Sequence, residues 1–101
     1  MMARSPSVVL SGELDIYEAP ALRRLLDALD GPGTIDMRDV VYLDASALGE
    51  LARVARRVGR YEVTLTVGSK NVRRVLDVVR FAELFIIDDV SPPVNGSFVS
   101  A

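Results

Sequence analysis

The sequence predicts an α/β fold: one domain in which about three helices pack against a mixed, mainly parallel sheet of about four strands. Two observations carry that expectation. Short apolar, β-branched runs alternate with longer segments whose leucines and valines recur at helical spacing, in the order β-α-β-α-β-α-β. Helices long enough to serve as crossovers separate the strands, which is how parallel strands are joined. The length of 101 residues fits a single domain with one core. At 50% apolar and 26% charged, the composition is that of a folded chain and not a disordered one.

The first strand spans Ser7 to Leu14, led by Val8, Val9 and Leu10, and runs into the polar turn Ser11-Gly12-Glu13-Leu14-Asp15. Glu18 to Leu29 reads as a helix. Leu22, Leu25, Leu26 and Leu29 form its apolar stripe, and Pro20 is tolerated in its first turn. Gly31-Pro32-Gly33 ends it. Thr34 to Leu43 is the second strand region, with a kink or turn expected at Arg38-Asp39. Asp44-Ala45-Ser46 opens a second helix reaching about Val58, its stripe formed by Leu48, Leu51, Ala52, Ala55 and Val58, with Gly59 as the stop. Glu62 to Val67 alternates as a third strand. Ser69 caps a third helix whose inner face is Val72, Val75, Leu76 and Val79. Leu84 to Ile87 is a short apolar strand. The domain is placed at residues 7–90, and 91–101, containing Pro92-Pro93 and Gly96, is expected to be an irregular or mobile tail.

Several function classes are excluded by composition. Without cysteine or histidine there is no thiolate or imidazole metal site, no cysteine nucleophile and no Ser-His-Asp triad. A formal charge of −2 is not the footprint of a nucleic-acid binder. No phosphate-binding glycine loop is present, so no cofactor is expected. No apolar run reaches the roughly 20 residues of a membrane span, and Met1 to Pro6 lacks a signal core. A cytoplasmic location is the expectation. In a parallel sheet the strand C-terminal ends share one edge, so Asp15 and Asp44 are expected to converge there. A metal-dependent or phosphoacceptor enzyme using Asp15, Asp36 and Asp44 is one alternative that this placement leaves open, with Asp36 and Asp39, in or near the second strand region, harder to place.

Two motifs carry a resemblance to a known family. Gly12-Glu13-Leu14-Asp15-Ile16-Tyr17-Glu18-Ala19-Pro20-Ala21-Leu22 resembles the GELD-x-x-x-A-P-x-L opening of STAS domains, the anti-sigma factor antagonists. Leu43-Asp44-Ala45-Ser46-Ala47-Leu48-Gly49 resembles their second signature, D-S-S/T-G-L-G. Val72 to Asp77 and Phe81 to Phe85 look like the third helix and last strand. The resemblance implies a STAS-like domain with no active site of its own. It implies binding to a bacterial anti-sigma factor of the serine-kinase type, which frees a sigma factor for transcription. Other STAS modules serve as subunits of lipid transporters or stress-signalling assemblies, and that is a further reading.

The partner-binding residues so implied are Glu13, Asp15 and Tyr17 in the first loop, and Asp44, Ala45, Ser46, Ala47, Leu48 and Gly49 at the second helix start. Ala45, Ala47 and Gly49 are small and would admit a partner closely. The family's usual phosphoacceptor position holds Ala45, which has no hydroxyl, so the resemblance implies docking more than a phosphoswitch. Ser46 is the neighbouring phosphorylation candidate. Arg53, Arg56, Arg57 and Arg60 recur at i, i+3, i+4 and i+7, a basic strip suited to electrostatic docking. The family's usual extra first strand and final helix are not evident, and the apolar surface left uncovered would favour a homodimer.

Overall fold

The computed structural model describes residues 6–90. Its elements are β1 (Ser7–Leu14), α1 (Ala19–Asp27), β2 (Gly33–Leu43), α2 (Ala45–Val58), β3 (Val63–Val67), α3 (Lys70–Val78), a 3-10 turn at Phe81–Glu83, and β4 (Ile86–Asp89). The strands form one sheet in the order β1-β2-β3-β4, and every pairing is parallel. The expected antiparallel admixture is therefore absent among the described residues. The expected tail at 91–101, and with it the question of a final helix, lies outside them.

Each strand lies beside the one before it, and each connection carries a helix. Right-handed crossovers repeated in one direction put all the helices on the same face. Burial agrees. Leu10, Ile35, Met37, Val63, Leu65 and Val67 join Leu22, Leu26, Leu51, Val54, Val72 and Leu76 in a single core cluster. The opposite face carries Val9, Asp36, Thr66 and Asp88 in one register row, as a strand's twofold alternation requires.

Four local expectations are corrected. Leu25 was assigned to the inner stripe of α1, but it is 51% exposed; Leu22, Leu26 and Leu29 alone form the buried row. Of the kink or turn expected at Arg38-Asp39, the turn does not form and the kink does, as a bulge. The strand continues, and the irregularity is a register slip in which β2 gains a residue opposite Val9–Ser11, with another opposite Gly12–Glu13. Val79 is exposed at the end of α3. The last strand lies two residues later than expected, because Phe81 and Phe85 turn inward and pack with ring centroids 5.5 Å apart. Asp88 and Asp89 belong to that strand and pair with Thr66 and Val67.

Candidate functional site

The two motif loops leave adjacent strand ends. Leu14 of β1 is in register with Leu43 of β2. The Asp44 N–H donates to the Leu14 carbonyl at 3.1 Å, extending the ladder by one bond. Asp15 and Asp44 therefore emerge side by side on the sheet's C-terminal edge. Gly12, at φ +79°, occupies a conformation that residues with a Cβ adopt at a cost, and it sits at the second register slip just before this edge. Asp15 builds the next turn itself. Its carboxylate accepts the Tyr17 N–H at 3.0 Å and its carbonyl accepts the Glu18 N–H at 2.9 Å. That turn leaves Ile16 63% and Tyr17 87% exposed.

Asp44 is the N-cap of α2. Its Oδ1 accepts the Ser46 and Ala47 N–H groups at 3.0 and 3.1 Å and the Ser46 hydroxyl at 2.6 Å. The Ser46 hydroxyl is the main reason that the Asp44 carboxyl is held below the usual aspartate value. Backbone N–H groups add to it, including that of Ile16 from the neighbouring loop. The cap is thus held as an anion. The Ser46 hydroxyl is committed to this acid, and a phosphate on it would set new negative charge against Asp44.

The structure separates the predicted contact residues into two groups. Glu13, Asp15, Tyr17, Asp44, Ala45, Ser46 and Gly49 all reach the surface at this edge or one turn along α2, and Leu48 is half-buried against the core. Ala47 is fully buried. Its small side chain serves core packing, which corrects its assignment to a partner surface. Gly49 has open space where a Cβ would stand, so internal packing does not require a glycine there. Sequence reasoning passed over Ile16. The available signal was an apolar residue inside an otherwise polar turn.

The basic strip is largely used within the molecule. Arg53 donates to Asp27 at 2.7 Å and to Glu50 at 3.2 Å. Arg57 donates to the Leu29 and Leu26 carbonyls at 2.8 and 3.0 Å, satisfying the C-terminal end of α1. Hydrogen bonding from Arg53 holds Asp27 below its ordinary value. Burial pushes Glu50 up, but hydrogen bonds from Arg23 and Arg53 outweigh it and the net shift is downward. Arg53 and Arg57 are thus α1–α2 clamps, and the expected four-residue docking strip reduces to Arg56 and Arg60, which are exposed.

The three acids of the carboxylate alternative are not brought together. Asp36 lies eight residues before Asp44 on β2, roughly 25 Å along an extended strand, and its carboxylate accepts the Arg38 N–H at 3.0 Å. No group of acids among the described residues is arranged to hold a metal. No described helix is long and apolar enough to cross a membrane.

A family model described as "Mlab, STAS domain" matches residues 2–88. No curated protein matches the chain closely enough to count as a relative. The model spans both motif loops and every element but the last residue of β4. STAS domains are generally non-enzymatic and point to protein–protein interaction. This chain belongs to the STAS domain family.

Proposed function

We propose that this domain is an anti-sigma factor antagonist: it docks on an anti-sigma factor of the serine-kinase type and so frees a sigma factor for transcription. The observation that carries the reading is the joining of the two signature loops into one patch, in which exposed Ile16 and Tyr17 stand beside the anionic Asp44 cap and the small residues Ala45 and Gly49. Aromatic and apolar anchors set within a polar rim are what a protein partner buries. The small residues let its backbone approach the helix. The test begins with capture of the partner from native cells on immobilised protein. Calorimetry then compares the wild type with Ala45→Asp and Tyr17→Ala. Both variants should bind at least about tenfold more weakly, with melting temperatures close to wild type.

A second reading is a permanent subunit of a lipid transporter or stress-signalling assembly. It is favoured by the missing hydroxyl at Ala45 and by the commitment of the Ser46 hydroxyl to Asp44, since neither leaves a free acceptor for a phosphoswitch. The identity of the captured partner separates the two readings. Incubating a captured kinase with ATP then shows whether Ser46 is labelled.

A further inference from the structure

We propose that the outer edge of β1 is a self-association surface, and that two copies of this chain pair antiparallel through it into one continuous sheet. Hydrogen-bond parity along the strand opens the argument. The Pro6 carbonyl accepts from Thr34 and the Leu14 carbonyl accepts from Asp44, so the even-numbered residues of β1 turn toward β2. Both register slips add their extra residue to β2, which leaves the alternation along β1 intact. Ser7, Val9, Ser11 and Glu13 therefore aim their N–H and C=O groups outward, where no strand pairs with them among the described residues. In an antiparallel self-pairing, the register placing Ser7 opposite Glu13 and Val9 opposite Ser11 of the other copy employs all four residues of each chain. The twofold axis then passes at Leu10.

The surroundings of the edge fit the same occupant. Along it runs a groove whose floor and sides are mostly apolar (Leu10, Leu14, Leu22 and Leu25), with Ser11 and Glu18 also on its wall. Leu25 is 51% exposed on the α1 side of this edge, and Val9 is 66% exposed on the helix-free face of the same strand. A twofold axis at Leu10 brings the α1 helices of the two copies to the same side, so that each Leu25 faces the other copy's groove.

Charge selects this edge over the other one. Ser7 to Gly12 carries no charge, Glu13 falls opposite a serine, and the other nearby acid, Glu18, lies on the groove wall and not on the strand. β4, by contrast, is four residues long and ends in Asp88-Asp89, the short, acidic form that discourages strand pairing. The pairing leaves Ile16, Tyr17 and Ala45 uncovered and shares only Glu13 with the contact residues described above.

Sedimentation velocity on the full chain across a concentration series tests the proposal. The wild type should dimerise reversibly. Val9→Lys and Leu25→Glu, both at exposed positions, should each raise the dimer Kd at least about tenfold without lowering the melting temperature. Ile86→Lys on the β4 edge should leave it unchanged. The register is tested by Val9→Lys combined with Ser11→Asp, which sets each lysine opposite the other copy's aspartate and should restore the dimer. A wild type that stays monomeric throughout the series would overturn the proposal and assign the groove to another occupant, such as residues 91–101 or a partner's strand. A dimer indifferent to Val9→Lys would overturn it as well.

Discussion

The N-termini of α2 and α3 occupy equivalent places, each following a parallel strand on the sheet's C-terminal edge, yet they offer different chemistry. At α2 an acid caps the helix. Asp44 satisfies two N–H groups and a hydroxyl, cancels much of the helix's positive end, and is flanked by Ile16, Tyr17, Ala45 and Gly49. At α3 the neutral Ser69 hydroxyl accepts a single N–H, that of Val72, at 3.3 Å. Its flank is a shallow cavity lined by Lys70, Arg73 and Asp89. Arg73 is tied there to both Asp77 and Asp89, and the hydrogen bonds that it donates to these acids raise its already high value. A capped helix start is thus common to both ends and identifies neither as a docking site. The distinction lies in what surrounds the cap: exposed apolar groups beside one, and ion pairs closed within the molecule beside the other.

The largest effects should fall on the shared foundation. Leu51 on the inner face of α2 and Leu76 on the inner face of α3 are fully buried in one core. Leu51→Ala and Leu76→Ala should each cost about 2–5 kcal/mol in chemical denaturation, at both ends alike. Unequal loss of cooperativity would show that the two ends are separate units.

Caps should come next, and unequally. Ser69→Ala should cost about 0.5–1 kcal/mol. Asp44→Ala removes three accepted hydrogen bonds and should lower the melting temperature further. The two also differ in pH dependence. Because the folded-state value of Asp44 is depressed, its contribution is fully present above the ordinary aspartate value of 3.8 and is lost as pH falls through the lower folded value. Melting curves from pH 6 down to about pH 2 should show Asp44→Ala flattening this acid limb and Ser69→Ala leaving it intact. Asp27, depressed by Arg53, contributes an acid limb of the same sign that persists in both variants.

The smallest effect is the most discriminating. Gly49→Ala places a methyl in open space inside a helix and should stabilise the fold by up to about 1 kcal/mol. The same methyl stands on the proposed contact surface and should weaken partner binding. A gain in stability without loss of binding would place Gly49 outside that surface.

Much of this architecture is legible in the sequence because its determinants are local. Strand alternation, the 3.6-residue rows of α2 and α3, the Gly-Pro-Gly stop and the Asp44 and Ser69 caps depend on neighbours a few residues away. Features set by distant chain segments were not legible. The stripe of α1 is narrower than its leucines imply, because α2 covers Leu22 and Leu26 while Leu25 turns to the free edge of β1. Ala47 reads as a small surface residue until the phase of α2 against the sheet places it inward. Arg53 and Arg57 read as a solvated basic row, since nothing local announces that Asp27 and the end of α1 lie within reach. Asp36 lies near the start of β2 and Asp44 just past its end, and only the length of β2 separates them. Within the candidate site, the motif acids were legible and the exposure of Ile16 was not, because it follows from the turn that Asp15 makes.

Calorimetric titration of the captured partner with wild type, Ala45→Asp and Lys70→Asp tests the contrast between the two helix starts most directly. The expected result is at least about tenfold weaker binding for Ala45→Asp and wild-type binding for Lys70→Asp, with both variants folded. Wild-type affinity in Ala45→Asp, or loss confined to Lys70→Asp, would contradict the assignment of the docking surface to the Asp15–Asp44 edge.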